Sequence, residues 1–198
     1  LTGNFSATIS YSYQIAKGRA SNPLASIFTP EFQLPRETRL DFDQNHTANL
    51  FMTYRVGRED SKIFGLPLNN YGVSLTWSFG SGFPYSGYDG GRTTARNVYL
   101  KNSETKPYTS TVNLTMYKGL RVFDNINILA TLDILNLFNR RNVISIFNYT
   151  GRPNQYGDVS DPSSGIVLPW YQAESNLLFP TAFEAPRQIL LGVKLQWD

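Results

Sequence analysis

Six stretches of this chain alternate between apolar and mostly uncharged polar side chains, and that period of two limits the possible folds more than any other feature. From Phe5 to Ile15 the odd positions read Phe, Ala, Ile, Tyr, Tyr, Ile and the even ones Ser, Thr, Ser, Ser, Gln. Between His46 and Val56, the set His, Ala, Leu, Met, Tyr, Val opposes Thr47, Asn49, Phe51, Thr53 and Arg55. Between Tyr71 and Phe79 the two sets are Tyr, Val, Leu, Trp, Phe and Gly, Ser, Thr, Ser. Val112, Leu114 and Met116 oppose Thr111, Asn113, Thr115 and Tyr117, and Ile126, Ile128, Ala130, Leu132 and Ile134 oppose Asn127, Leu129, Thr131 and Asp133. Last, Ile189, Leu191, Val193, Leu195 and Trp197 oppose Gln188, Leu190, Gly192, Lys194 and Gln196. Successive side chains of a strand point to opposite faces, so each stretch predicts a β-strand with two unlike faces. The fold class is all-β and antiparallel.

The polar face separates the two ways such strands can be used. The outer face of a soluble sandwich usually carries Lys and Glu, whereas here it is mostly Ser, Thr, Asn, Gln and Gly. That composition suits a crowded, wet lumen, and it dilutes the mean hydropathy to −0.30 although 41% of residues are hydrophobic. No run approaches the ~18 apolar residues of a membrane helix. The connections also alternate. Residues 57–70 and 122–126 are the shorter ones, while 17–43, 84–107 and 140–186 are long and rich in Gly, Pro, Asn and Arg. Short turns at one end and long loops at the other are the layout of an outer-membrane barrel, and long unstructured loops are uncommon in compact domains. A transmembrane antiparallel β-barrel segment is therefore expected. Cysteine is absent, which removes disulfides and thiol chemistry. The net charge of +3 is small and scattered, so no nucleic-acid partner is read.

Six strands fall short of the eight in the smallest bacterial barrels, and unpaired strand edges in lipid cost several kcal/mol per group. The chain opens inside an apparent strand, without a charged and apolar leader. Residues 1–198 are thus expected to be part of a larger barrel, completed by the remainder of the same polypeptide or by another chain.

Several residues are candidates for chemistry. His46 is the single histidine and could combine with Asp41, Asp43 and a serine, but alternation puts it on the outward face at a strand start. Asp133 falls on the lumenal face, where Arg55 is the expected partner in a structural ion pair. The long loops carry Arg92, Arg96, Arg140, Arg141 and Arg152 among Tyr88, Tyr149, Tyr156, Trp170 and Tyr171. Cations beside rings grip anionic or carbohydrate-like ligands through charge, stacking and cation–π contact. Arg92, Arg96, Tyr149, Arg152, Trp170 and Tyr171 are accordingly the candidate substrate-binding set. Arg140 and Arg141 are placed at the extracellular rim, within reach of lipopolysaccharide phosphates. No residues point to a catalytic centre, a metal or a cofactor.

"LDILNLFNRRNV" (132–143) resembles the "NLFN" signature near the end of TonB-dependent outer-membrane receptors. "LDFDQNHTANLFMTYRVG" (40–57), "GVSLTWSFGSGFPYS" (72–86) and "PRQILLGVKLQWD" (186–198) resemble further strands of that family in the same order. The LDFDQ–His form is most similar to the branch with a carboxypeptidase-regulatory-like N-terminal domain. The resemblance implies the last six strands of a 22-stranded barrel in the bacterial outer membrane, with its plug domain and earlier strands outside this sequence. It implies uptake of a scarce solute into the periplasm, driven by the TonB system through the plug, with no covalent chemistry. Gly192, Leu195 and Trp197 resemble the signal read by the barrel assembly machinery, although Leu190 and Asp198 depart from its usual pattern. The rival readings are a porin-like channel or surface adhesin without energy coupling, a soluble all-β binding module, and an outer-membrane hydrolase.

Overall fold

The computed structural model describes residues 4–19, 21, 37–57, 62–63, 66–67, 70–87, 101–123, 126–147, 151–153 and 180–197. Their framework is one six-stranded antiparallel sheet. Its strands are β1 (Phe5–Tyr13), β2 (His46–Val56), β3 (Tyr71–Gly80), β4 (Thr109–Phe123), β5 (Ile126–Leu135) and β6 (Gln188–Trp197), each hydrogen-bonded to its neighbour in chain order. The six alternating stretches and the six strands coincide, with two differences of extent. β1 stops at Tyr13 because the backbone N–H of Ala16 turns from the ladder to the Asp43 carboxylate. β4 runs well beyond residues 111–117 on both sides. Its alternation fades there because Ser110 and Lys118 occupy apolar-face positions. Ser110 is polar for a reason, since its hydroxyl accepts the Trp77 indole N–H at 2.9 Å.

The register keeps the two faces separate across the whole sheet. One row on the polar face runs Ser6, Thr53, Ser74, Thr115, Asp133, and the next runs Thr8, Phe51, Thr76, Asn113. The matching apolar row runs Ala7, Met52, Leu75, Leu114, Ile134, Ile189. A one-residue slip in any pairing would exchange the faces from that strand onward, so five consistent registers are a strong constraint. The expected Asp133–Arg55 pair does not form. Arg55 lies opposite Gly72 and Asp133 opposite Thr115, three strands apart, or about 14 Å at the usual strand spacing.

The apolar face is bare. Leu191 is 83% exposed, Val193 72% and Ile9 70%, and the buried hydrophobic residues among those described are only Ala48, Val56 and Ala182. A sheet normally buries its hydrophobic face under a second layer; among the described residues none lies over this one. The exposed surface is ordered by residue type. Tyr11, Tyr13, Trp77 and Phe79 stand toward the long-loop end, and Phe5, Tyr54 and Tyr71 toward the short-turn end. The row between them is Ala7, Met52, Leu75 and Leu114, while Ile9, Leu50 and Val112 share the row of Trp77 and Val73 shares that of Phe5 and Tyr54. From Tyr71 to Phe79 along β3 is about 27 Å of strand.

Two of the long connections are not structureless, contrary to expectation. Lys17–Gly18 pairs with Thr38–Arg39 and Pro84–Tyr85 with Glu104–Thr105, while on the other side Lys62–Ile63 pairs with Leu66–Pro67. The β3–β4 ribbon needs glycine at 82, where any Cβ would strike the Lys106 carbonyl. That close approach lets the Lys106 N–H reach the Phe83 carbonyl at 2.9 Å.

Candidate functional site

Among the described residues the buried polar ones, Asp43, Asn102, Asn136 and Asn142, lie at the end of the sheet where the long connections leave. A buried polar group must find partners or it costs stability, and each of these four joins segments far apart in sequence.

The first group ties the β1–β2 connection to the β3–β4 connection. The Asp43 carboxylate accepts from the Ala16 N–H (2.7 Å), the Arg39 Nε (2.8 Å) and the Asn45 Nδ2 (3.2 Å). Burial pushes its pKa up, but these donors and the Arg39 charge outweigh that and hold the carboxyl below its ordinary value. Arg39 reaches onward through Nη1 to the Thr105 hydroxyl at 2.8 Å. From the other side, Asn102 donates its amide to the Arg39 carbonyl (2.8 Å) and to Asp41 Oδ1 (2.6 Å), and Gln44 donates to the Ser81 carbonyl (2.8 Å). The backbone of Asn102 is left-handed (φ 56°), a conformation that Asn tolerates better than most residues.

The second group is built by the three asparagines of "NLFNRRN". Asn136 ends β5 in a left-handed turn (φ 53°). Its side chain accepts the Arg140 N–H at 2.9 Å and donates to the Arg140 and Ala185 carbonyls. Asn139 is also left-handed (φ 51°) and accepts the Arg187 N–H at 3.0 Å, so it meets the chain as it returns to β6. Asn142 is 1% exposed. Its Oδ1 accepts from the Ser110 N–H (3.0 Å) and Arg140 Nε (3.1 Å), and its Nδ2 donates to Glu184 Oε2 (2.7 Å) and Thr111 Oγ1 (2.8 Å). One amide thereby fastens β4 to both ends of the β5–β6 connection. The same two ends are paired by the backbone, with Ile144 N–H donating to Ala182 and Glu184 N–H to Asn142.

Of the substrate-binding candidates, Arg92, Arg96, Tyr149, Trp170 and Tyr171 lie outside the described residues, as do Tyr88 and Tyr156. Arg152 is exposed and closes a small bridge with Phe147. Arg140 is half-buried with its guanidinium 4.2 Å from the centre of the Tyr108 ring, and Arg141 is exposed. Gly192 lies under Thr131 of β5, whose hydroxyl occupies the space that a Cβ would need. Leu195 stands exposed on the apolar face; for Trp197 only the backbone is described.

The imagined grouping of Asp41, Asp43 and His46 does not assemble. Asp43 faces Arg39, whereas His46 Nδ1 is 2.8 Å from the Tyr11 hydroxyl, with its ring between Tyr11 and Tyr13. Sequence reasoning missed Arg39, Asn102, Tyr108 and Glu184. None sits in a motif, and apart from the Arg39–Asp43 pair, four residues apart, their roles arise from partners dozens of residues away. Chemically the rim holds and presents side chains, with cations and rings at its surface and amides locking its base. No family model, curated protein or solved structure matches the chain. The fold and rim define an all-β protein built on a two-faced antiparallel sheet with its long loops clasped at one end.

Proposed function

We propose that this chain is the C-terminal barrel portion of an outer-membrane TonB-dependent receptor that takes up a scarce solute into the periplasm. The observation that carries the membrane part is the bare apolar face, aliphatic at its middle row and bearing aromatic residues toward both ends. Outer-membrane strands present such a band, flanked by aromatic girdles and backed by a polar lumen face. The receptor part rests on the four sequence stretches quoted above and their order. β1 and β6 each have one edge unpaired among the described strands, and in the proposed barrel both join further strands, since spanning sheets close. The plug and TonB system supply the energy coupling. The barrel assembly machinery reads the strand carrying Gly192, Leu195 and Trp197. Arg92, Arg96, Tyr149, Arg152, Trp170 and Tyr171 form the solute-facing set on the loops.

The test uses the full-length protein in its own cells. It should fractionate with the outer membrane, and growth on a limiting solute should require both it and an intact TonB system. Uptake that persists without TonB would indicate a passive channel instead. Recovery in the aqueous fraction would indicate a soluble binding module.

A further inference from the structure

The aromatic row on the apolar face does not stop where the sheet does. Trp77 packs on Phe79 with ring centroids 6.1 Å apart, Phe79 packs on Tyr108 at 5.7 Å, and the Arg140 guanidinium covers the Tyr108 ring. Trp77 and Phe79 belong to the apolar side by register. The stack therefore climbs along that side from an aliphatic surface to a fixed cation. Arg140 is held there twice, by the electron-rich face of the ring and by its Nε donating to the buried Asn142 amide at 3.1 Å. Glu184, the nearby acid, is engaged on the other side, where Asn142 and the Thr111 hydroxyl meet its carboxylate at 2.7 and 3.4 Å. Among the described residues no carboxylate pairs with Arg140. Arg141 follows it, exposed, and Phe138 beside them is 74% exposed.

We propose that Arg140, on its Tyr108 platform with Arg141 beside it, seats the phosphorylated headgroup of a membrane lipid whose acyl chains lie against the aliphatic band below. This rests on the membrane reading given above. A planar guanidinium presents a fork that matches two phosphate oxygens, and its partial burial weakens competition from water. A free phosphate would use the cations alone. A lipid would use the cations, the rings and the aliphatic surface in the vertical order in which they occur.

The full-length protein, purified in neutral detergent and exchanged into phosphatidylcholine bicelles containing a minority of phosphatidic acid, is examined for retained lipid by native mass spectrometry. Phosphatidic acid should be retained in excess over phosphatidylcholine. Arg140→Gln should weaken that retention about 10-fold or more, the loss expected for one charge-assisted contact. Arg140→Lys should recover part of it, because a point charge lacks the fork. Tyr108→Leu should weaken it about 2- to 5-fold by releasing the guanidinium. Arg55→Gln, a cation on the polar face, should change nothing. Equal retention of both lipids, an Arg140→Gln variant indistinguishable from wild type, or equal damage from Arg55→Gln would overturn the proposal. So would displacement of the lipid by glycerol phosphate as effectively as by phosphatidic acid itself, which would make this a soluble-anion site. If Arg140→Gln fails to fold, judged by heat-modifiable migration, Arg140→Lys and Tyr108→Leu decide. Lipid retention without TonB-dependent uptake would refute the transport reading and leave this seat standing; uptake without lipid preference would do the reverse.

Discussion

Asn142 is the side chain on which most segments depend, and its environment says what replacing it would do. An apolar residue of similar size leaves the Ser110 N–H and the Arg140 Nε without the Asn142 oxygen, and Glu184 Oε2 with only the Thr111 hydroxyl at 3.4 Å. Asn142→Leu should therefore destabilise by about 1–3 kcal/mol for each group that water cannot reach, read as a lower temperature for heat-modifiable unfolding in detergent. Asn142→Asp keeps both contacts to Oδ1 but sets a second carboxylate against Glu184, so it should recover stability as pH falls. Asp43 carries the opposite dependence. Its folded pKa is depressed, so its contribution is fully present above the ordinary carboxylate value of 3.8 and is lost as pH falls through the lower folded pKa. Proteolytic cleavage of the β1–β2 connection should thus be flat from neutral pH down to about that value and rise only in stronger acid. Asp43→Asn should be cut more readily at all pH values and show no such acid transition.

At the scale of the element, the test is which way each strand faces. Leu75 and Thr76 are neighbours near the middle of β3 with opposite orientations. In the proposed barrel, arginine on the lipid face near mid-bilayer costs about 2–4 kcal/mol, so Leu75→Arg and Leu132→Arg should impair assembly. Thr76→Arg, on the exposed polar face, should be milder. Equal loss of folded protein from both faces would refute the assignment. Thr131 is a poorer comparison than its alternation implies, because its hydroxyl fills the space over Gly192. Gly192→Val should accordingly damage the β5–β6 pairing through a clash with Thr131, with Thr131→Ala restoring part of the loss.

The whole molecule has a direction and two open edges. In the proposed barrel β6 descends to a periplasmic end, so β5 would ascend and the clasped rim would be extracellular. Asn142 cannot report this, because it is buried. Phe138, 74% exposed, and Asn4, exposed at the short-turn end, can. A cysteine at 138 should react with an impermeant maleimide on intact cells, and one at 4 only after the outer membrane is opened. The reverse pattern would invert the topology and move the rim to the periplasm. Because β1 and β6 each have one edge without a partner strand among the described residues, residues 1–198 expressed alone should not yield a heat-modifiable monomer. A monodisperse monomer with that migration would show that these strands close without help.

The amino-acid sequence by itself determined the six strands, their two faces and which ends bear turns or loops. Side-chain facing in a strand follows from a local backbone geometry that repeats every two residues. At Ser110 the pattern is interrupted because a distant partner, the Trp77 indole, changed the residue needed. Only the tertiary structure decided the rim. Arg39 and Thr105 are 66 residues apart, Asn102 and Asp41 are 61 apart, and Asn142 and Glu184 are 42 apart. No local periodicity records such pairs. They exist because the ladder places the exits of β1 to β5 side by side, and because a polar group buried there must take its partner from whichever chain lies next to it.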